Sequence, residues 1–325
     1  MEIAISELRS LCEHILVQRG LSQTEARSVV DDYLDAELRE KRSHGLAAFG
    51  VVAADAAARG HCQLVMENGC VAFFEGNGDI GHLVARKALE WAREACRHHG
   101  MALVGIRNIR RFATPGSIAE LGSKEGLISL IFEYGGAPVM APYGSADPVL
   151  STNPIGIGIP TSRGPILLDM ATSERAFYFI TLARRLGQEI PPTWALDANG
   201  RPTTDPSAAK AVCPFGSYKG SGLAFMLEIL TGILVGVDVG LEGKLSRRGA
   251  LMLFLDPSIF GVRLEHFDKK VIQLVSQVKH SRVAPGSNGI DIPGERGQRK
   301  KAAVLKAEKI ELDEKILAEL RSLSD

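Results

Sequence analysis

The tripeptide Ser43-His44-Gly45 carries the side chains best suited to acid-base chemistry in this chain of 325 residues. It follows a long amphipathic helical pattern, so it places an imidazole at a helix boundary with a hydroxyl beside it. Reduction of a carbonyl or an imine takes a hydride from a cofactor and a proton from a nearby acid. Histidine suits the role of that acid because its pKa lies near neutral pH. Alone, however, such a tripeptide more often marks a simple helix start, so other motifs must decide.

The segment from Gly76 to Gly81 matches the pattern G-x-G-x-x-G and stands between a short strand and a helix. In a dinucleotide-binding fold, these glycines would form a tight turn and let the backbone approach a pyrophosphate. The next strand would then end in an acidic residue, whereas here it ends at Arg107, a residue type suited to a 2′-phosphate. The strands and helices that follow do not alternate as in a doubly wound sheet. We therefore favour a glycine-rich structural turn and keep the Rossmann fold as an alternative.

The elements that must position these residues are a mixture of helices and strands. Apolar spacing predicts the helices, and a capping box at Ser22-Gln23-Thr24-Glu25 marks the start of the second one. The predicted helices cover residues 6–19, 22–42, 46–59, 82–98, 117–124, 174–186, 220–236, 264–279, 297–308 and 313–323. The predicted strands cover residues 71–74, 101–106, 127–132, 155–159, 166–168 and 251–255. The chain is therefore expected to be of mixed α and β class.

The composition limits the kinds of partner. Lys and Arg together equal Asp and Glu together at 38 each, so no net charge attracts nucleic acid or an anionic membrane. The most apolar stretch, from Gly220 to Val239, carries Glu228 in its middle and is not expected to span a membrane. A small-molecule substrate is the expected partner, with neither nucleic acid nor membrane, and no metal site is predicted.

The cysteines and the N-terminal residues indicate a compartment. The five cysteines are odd in number and contain no CxxC pair, which fits reduced thiols better than a disulfide framework. The first residues lack the basic and apolar pattern of a signal peptide. We therefore expect a cytoplasmic protein.

Five further segments stand in a fixed order along the chain. They are Ser151-Thr152-Asn153-Pro154, Leu168 to Ser173, Trp194 to Pro206, Gly216 to Leu223, and Pro293-Gly294-Glu295-Arg296. Together with Ser43-His44-Gly45 they closely resemble the malate/L-lactate dehydrogenase family of the second type, over essentially the whole chain. That family also contains ureidoglycolate, sulfolactate and diketogulonate enzymes, and reductases of piperideine-2-carboxylate and pyrroline-2-carboxylate.

The resemblance implies a non-Rossmann α/β fold that binds NAD or NADP and assembles as a homodimer. The expected fold has a largely antiparallel central sheet and helical segments at both termini. Residues 1–110 with 280–325 would form a mainly helical substrate and dimer domain, and residues 111–279 an NAD(P)-binding domain that holds the central sheet. In this fold, the glycines from Gly76 to Gly81 form a structural turn.

The family pattern also implies roles for individual residues. His44 is expected to donate the proton with Ser43 as its hydrogen-bonding partner, and Thr152 is expected to contact the substrate. The expected cofactor contacts are Asp169, Met170 and Ala171, Lys219 at the phosphates, and a closing segment formed by Pro293, Gly294, Glu295 and Arg296. A further cofactor loop corresponds to Arg111, Phe112 and Ala113.

Four positions depart from the family pattern. Ala48 stands where an arginine usually grips the substrate carboxylate, and Arg111 stands where the cofactor loop has a histidine. Tyr218 replaces the histidine of an H-K-G motif, and Phe179 replaces an Asp or Lys near the catalytic histidine.

These departures leave three hypotheses. In the first, Arg110 or Arg111 binds the carboxylate instead. In the second, the substrate lacks a carboxylate and fills a more apolar pocket, and in the third, the chain binds cofactor as a sensor or scaffold without catalysis. We favour an active reductase of a ketone or ketimine.

Overall fold

The computed structural model describes residues 1–112 and 114–324, so Ala113, predicted as a cofactor contact, lies outside the described residues. The helices are α1 (Ile5–Gln18), α2 (Gln23–Leu38), α3 (Phe49–Ala57), α4 (Gly81–His99), α5 (Pro115–Lys124), α6 (Phe177–Leu186), α7 (Tyr218–Glu228), α8 (Leu264–Lys279), α9 (Glu295–Ala307) and α10 (Glu314–Ser324). The strands are β1 (Glu2–Ala4), β2 (Gln63–Asn68), β3 (Val71–Glu75), β4 (Met101–Ile109), β5 (Ile128–Glu133), β6 (Ile155–Ile159), β7 (Ile166–Met170), β8 (Ala195–Leu196), β9 (Ala211–Val212), β10 (Arg248–Leu255) and β11 (Lys309–Glu311). Short 3-10 turns cover Arg42–His44 and Leu46–Ala48, and a π-helical segment over Ile229–Ile233 extends α7.

A seven-stranded sheet forms the centre of the molecule. Its strands lie in the order β2-β3-β4-β10-β5-β6-β7. Five of its six strand pairs are antiparallel, and only β3 and β4 pair in parallel. This arrangement confirms the predicted mixed α/β fold with a largely antiparallel, non-Rossmann sheet.

The sheet is covered by helices whose small residues allow close packing. Helix α4 contributes Ala85, Ala88 and Ala92 to the same buried cluster as Ile106 of β4 and Phe254 of β10. Burial of apolar area contributes about 25 cal/mol per Å², so this cluster is a main source of stability for the sheet. The strands that carry the candidate site are thereby fixed relative to one another.

The two chain termini form a helical layer with its own core. Buried residues of α1, α2, α3 and α10 share one apolar cluster, and β1 pairs antiparallel with β11 to join the two ends. The predicted capping box is present, since Ser22 and Glu25 exchange side-chain and backbone hydrogen bonds at the start of α2. The predicted division into domains stays a prediction, although β2, β3 and β4, from its first range, pair within the central sheet.

The glycine loop after β3 is a structural turn, so the Rossmann alternative is wrong. The Gly76 N–H donates to the Arg107 carbonyl at 2.8 Å, and a Cβ at Gly76 would lie 2.8 Å from that oxygen. Arg110 donates to the Gly78 carbonyl at 2.9 Å, and Arg107 itself pairs with Glu75 at 2.6 Å. The glycines are therefore required by the close approach of the loop to the end of β4.

The described residues contain neither a membrane-spanning helix nor a cluster of metal-binding side chains. None of the helices in residues 1–112 and 114–324 is long and apolar enough to cross a membrane. The same part of the chain contains no group of three or more His, Cys, Asp or Glu residues placed to hold a metal ion.

Candidate active site

Polar side chains meet along the side of the central sheet where β4, β5 and β7 end and β6 and β10 begin. This row of strand ends is the edge of the sheet that carries the candidate site. Because β10 runs antiparallel to both β4 and β5, the ends of β4 and β5 lie beside the start of β10. By the same alternation, β6 begins and β7 ends at that edge. The topology therefore gathers five polar residues there, namely Arg111, Glu133, Thr152, Asp169 and Arg248.

The turn that carries His44 reaches this edge from the end of α2. Ser43 Oγ lies 2.9 Å from His44 Nδ1, as the predicted pairing requires, and the His44 N–H donates to the Lys41 carbonyl at 2.9 Å. The buried Glu37 carboxylate accepts the Leu46 N–H at 2.8 Å. A Cβ at Gly45 would lie only 2.0 Å from Glu37 Oε2, so any side chain at that position would displace this carboxylate. The tripeptide is thus held by a carboxylate from the preceding helix.

Charged groups surround the His44 imidazole from several elements. Burial lowers the pKa of His44 to about 4; the Asp169 carboxylate opposes this shift, and the cations Lys41, Arg111 and Arg248 add to it. The imidazole is therefore neutral at neutral pH and able to accept a proton. An anionic substrate placed among these cations would oppose their effect and favour the protonated form.

Asp169 is held by a residue that the sequence motifs did not identify. The Lys41 ammonium forms an ion pair with Asp169 Oδ2. On the other side of Asp169, a Cβ at Gly116 would lie 2.6 Å from the carboxylate carbon, so the start of α5 packs directly against it. The predicted cofactor contact Asp169 is therefore already paired, and a cofactor hydroxyl would share the carboxylate with Lys41.

A second buried ion pair lies at the same edge. Arg248 Nη1 lies 3.0 Å from Glu133 Oε1, and the Glu133 side chain is only 3% exposed. Burial raises the pKa of Glu133, while Arg248 and Arg111 oppose that shift. Neither Arg248 nor Glu133 was predicted, because each belongs to an ordinary strand pattern and only the sheet register brings them together.

The structure separates the two arginines that were candidates for binding a carboxylate. Arg110 pairs with Asp55 at 3.2 Å and donates to the carbonyls of Gly78 and Ala58, so its guanidinium is engaged by α3 and the glycine loop. Arg111 lies close enough to lower the pKa of His44, and its buried Nε has no hydrogen-bond partner among the described residues. Arg111 therefore differs from Arg110 in having an unpartnered buried Nε near His44, and a substrate contact at Arg111 stays a prediction.

Phe112 has a different setting from the one predicted. Its side chain is 2% exposed and belongs to the apolar core of the sheet. The side chain of Phe112 therefore serves packing, and the predicted cofactor contact at this position would use the backbone.

The remaining predicted contacts lie along the same edge of the sheet. The Thr152 carbonyl accepts hydrogen bonds from the N–H and the hydroxyl of Thr172, both at 2.8 Å. A Cβ at Gly135 would lie 3.5 Å from Thr152 Oγ1, which places this hydroxyl beside the end of β5. Met170 is half-buried and pairs with Ile155, and Ala171 follows it. Thr152, Met170 and Ala171 therefore flank Asp169.

The N-terminus of α7 places the predicted phosphate contact Lys219 beside the segment after β7. Phe215 N–H donates to the Thr172 carbonyl at 3.0 Å, so the turn before α7 adjoins the segment after β7. A Cβ at Gly220 would lie 2.2 Å from the Phe215 carbonyl oxygen, so glycine is required for this close approach. Lys219 is exposed in the first turn of α7. A cation at a helix N-terminus is a suitable partner for phosphate.

The predicted closing segment packs against the edge strand β7. Leu167 N–H donates to the Pro293 carbonyl at 3.3 Å, and Gly294 has a φ of +90°, which favours glycine. Glu295 pairs with Lys279 at 2.5 Å and accepts the Ile292 N–H at 3.0 Å. Its carboxylate thus shapes the segment itself, whereas Arg296 is exposed.

Two of the positions that depart from the family pattern carry an apolar or an aromatic side chain, Ala48 and Phe179. Ala48 is half-buried against the helical core. The guanidinium of Arg175 lies 3.8 Å from the centre of the Phe179 ring and 5.2 Å from that of Trp194. Phe179 is therefore part of a cation–π stack.

Comparison with known proteins identifies the family. The family model for malate/L-lactate dehydrogenase matches residues 3–321. The chain is 34% identical to the malate/(S)-sulfolactate dehydrogenase of Methanothermus fervidus, over 100% of this chain and 98% of the relative. It is 33% identical to the (2R)-3-sulfolactate dehydrogenase (NADP(+)) of Chromohalobacter salexigens, over 98% of this chain and 97% of the relative.

A solved structure gives the same fold. The sulfolactate dehydrogenase of Methanocaldococcus jannaschii superposes with a TM-score of 0.89 at 29% identity, over 99% of this chain and 96% of that one. Relatives include enzymes named as dependent on NADP(+) and on NAD(+), in agreement with the predicted choice of cofactors. The chain therefore belongs to the malate/L-lactate dehydrogenase family and is an oxidoreductase.

Proposed function

We propose that the protein is an NAD(P)H-dependent reductase or dehydrogenase that exchanges a hydride with a small ketone or ketimine, and that His44 exchanges the proton. The expected substrates are 2-oxo acids, cyclic imino acids and related small molecules. The observation that carries the proposal is the convergence at His44 of a hydroxyl partner, Ser43, at 2.9 Å and of the charges of Asp169 and Arg111, which shift the His44 pKa in opposite directions.

The surroundings of His44 support a role in both directions of the reaction. In oxidation, the neutral imidazole accepts the proton of a substrate hydroxyl or amine. In reduction, the protonated imidazole returns that proton to the oxygen or nitrogen. The Asp169 carboxylate favours the charged form, and Ser43 holds Nδ1 at 2.9 Å. The second ring nitrogen, Nε2, is then the atom that faces the reacting group.

Arg111 is proposed as the group that binds the substrate carboxylate. Position 48 is alanine and offers no charge, whereas Arg111 has a buried Nε without a partner among the described residues. A guanidinium can donate two parallel hydrogen bonds to a carboxylate, which fixes orientation as well as charge. The Thr152 hydroxyl would then contact the substrate from the neighbouring strand. A neutral substrate in a more apolar pocket is the alternative.

The cofactor would be NAD or NADP, and when bound it supplies or accepts the hydride. Lys219 and the N-terminus of α7 would hold its phosphates, and Arg296 of the closing segment is a further phosphate partner. Asp169, Met170 and Ala171 would meet its ribose and amide. The residues that fit these groups are an exposed ammonium and glycines at points of close backbone approach.

A homodimer is the proposed assembly. Phe225, Met226, Ile233 and Leu234 on α7 and its π-helical extension are between 55% and 63% exposed. Contiguous apolar surface of this kind typically marks an interface.

A cytoplasmic location is also proposed. All five cysteines are free in the described part of the chain, which supports a reducing compartment.

Turnover assays test the proposal. NADH and NADPH would each be supplied with a panel of keto acids, cyclic imines and neutral ketones, for the wild type and for His44→Gln. We expect oxidation of reduced cofactor by at least one substrate, and a loss of roughly 100-fold or more in His44→Gln. His14→Gln, at an exposed position on α1, is the matched control and should retain full activity.

The second candidate is the cofactor-binding sensor or scaffold, which the replacements at positions 48 and 179 motivate. Tight binding of NADH or NADPH without turnover of any substrate would favour it. If His44→Gln retained full activity, the proton-donor assignment would be wrong.

A further inference from the structure

Lys41 occupies an unusual place in the turn that leads to His44. The chain reverses at Glu40, which has a left-handed φ of 58°, and Lys41 follows directly. The Lys41 carbonyl accepts the His44 N–H at 2.9 Å, so the backbone conformation of Lys41 and the position of His44 are linked. The Lys41 side chain is only 32% exposed, although lysine is normally a surface residue.

The Lys41 side chain connects two separate parts of the molecule. Its ammonium pairs with Asp169 on β7, 128 residues further along the chain. The Asp169 side chain is 11% exposed and is backed by Gly116 at the start of α5, so it has little freedom to move. The ion pair therefore joins the helical layer to the edge of the central sheet at the candidate site.

From this geometry we propose that Lys41 is a positioning residue of the active site. Its ion pair with Asp169 fixes the His44 turn against β7 and offsets the negative charge of the carboxylate near the imidazole. The inference rests on the proposed role of His44 as the group that exchanges the proton. The motifs that carry the family resemblance do not include Lys41.

The charges around His44 explain how the ion pair between Lys41 and Asp169 affects the protonation of the imidazole. Asp169 faces the imidazole from β7, Lys41 from its own turn, Arg111 from the end of β4 and Arg248 from β10. The Arg248 charge is itself paired with Glu133 of β5. Lys41 differs from the other two cations because it binds directly the carboxylate that stabilises a charged imidazole.

A functional consequence follows for anion binding. While Lys41 pairs with Asp169, the neutral imidazole is favoured. An anionic group of the substrate that draws the ammonium away would leave Asp169 free to stabilise the imidazolium. The binding of an anion would then load His44 with the proton that reduction requires. Lys41 thus couples occupancy of the site to the charge of His44.

Titration of the His44 ring by NMR tests the inference without any need for a substrate. The ring signals are assigned by their loss in His44→Gln. Lys41→Met removes a cation and leaves Asp169 unopposed, so the midpoint of the His44 titration should rise by about one pH unit. Lys41→Arg keeps the charge and should restore the midpoint. Asp169→Asn removes the carboxylate and should move the midpoint of the His44 titration to lower pH, or so low that the titration is not complete in the pH range where the protein is folded.

The controls separate this effect from a simple loosening of the turn. Loosening would return His44 towards its ordinary pKa and would therefore raise the midpoint in both Lys41→Met and Asp169→Asn. Lys300→Met removes the ion pair to Glu40, next to Lys41 in the chain, and should leave the midpoint unchanged. An unchanged midpoint in Lys41→Met, or a rise in both site variants, would overturn the inference. Because cofactor turnover is not the readout, failure here is distinguishable from failure of the proposed function.

Discussion

At the scale of single residues, the candidate site depends on which charges face His44. Burial and three cations hold its pKa near 4, and one carboxylate opposes them. The tripeptide motif predicted the contact between Ser43 and His44, but the charges around the imidazole come from Lys41 in the same turn, from the ends of β4 and β7, and from β10. Of two adjacent arginines, only Arg111 remains available, since Arg110 is bound by α3 and the glycine loop.

The lowered pKa of His44 predicts opposite pH profiles for the two directions. Oxidation needs the neutral imidazole, which is the dominant form above pH about 4, so kcat/KM for oxidation should stay level from weakly acidic to neutral pH and fall only on stronger acidification. Reduction needs the protonated form, so kcat/KM for reduction should fall by about tenfold per pH unit above that pKa. Initial rates with saturating cofactor would measure both. A reduction rate that rises with pH would contradict this assignment.

Replacement of Arg111 tests how the substrate carboxylate is held. Arg111→Met should lower kcat/KM for a carboxylate-bearing substrate by about 10- to 100-fold, because a charge-assisted hydrogen bond is lost. Turnover of a neutral ketone should change little. Arg110→Met is the matched neighbour, and its effect should appear in the free energy of unfolding because it loses the contact to Asp55. Equal losses for charged and neutral substrates in Arg111→Met would exclude a carboxylate contact.

At the scale of elements, the His44 turn is shaped by the helix that precedes it. Glu37 in the last turn of α2 accepts the Leu46 N–H and leaves no room for a side chain at Gly45. Burial raises the pKa of Glu37, and its backbone hydrogen bond opposes that shift. The glycine of the tripeptide is therefore explained by packing, whereas the histidine is explained by chemistry.

A methyl group at position 45 should disturb this turn. In Gly45→Ala, the new Cβ would lie 2.0 Å from Glu37 Oε2, so the carboxylate must shift and its bond to Leu46 weakens. We expect a loss of roughly 1–3 kcal/mol in the free energy of unfolding, measured by urea titration. In Gly297→Ala, the Cβ meets the Arg39 side chain at an ordinary 3.5 Å, so stability should be nearly unchanged. Equal stabilities for the two variants would show that the contact with Glu37 is not restrictive.

At the scale of the whole molecule, an apolar face remains uncovered. Helix α7 and its extension expose Phe225, Met226, Ile233 and Leu234 next to the turn that carries Lys219. A groove of about 490 Å³ with mainly apolar walls, including Tyr143 and Phe225, continues this face. A second copy of the chain would bury it close to the proposed cofactor site.

A charge on this face should prevent dimer formation. Met226→Glu would place a carboxylate in the middle of the apolar surface, and desolvation of that charge would oppose association. Sedimentation velocity should show a dimer for the wild type and a monomer for the variant. Leu186→Glu, at an equally exposed apolar position at the end of α6, should leave the dimer intact. A wild type that sediments as a monomer would contradict the proposed assembly.

Local pattern predicted most of the long elements and missed several short ones. The helices and the apolar strands were found because their residues repeat at the spacing of a buried face. Strand β2 was missed because all six of its residues are exposed, and it exists only through pairing with β3. Strands β1 and β11 have three residues each and pair across more than 300 positions, beyond the reach of any local pattern.

The sequence by itself determined the family and the class of reaction and supplied the residues proposed to exchange a proton and to hold phosphates, because these depend on residue types at fixed spacing. Only the tertiary structure decided which charges meet at His44. Lys41, Glu133 and Arg248 look like ordinary surface or strand residues in the sequence. Their convergence follows from an antiparallel sheet whose strand ends share one edge, and from a helical turn that approaches that edge from the other end of the chain. The proposed proton donor was thus visible in the sequence, whereas the groups that surround it were not.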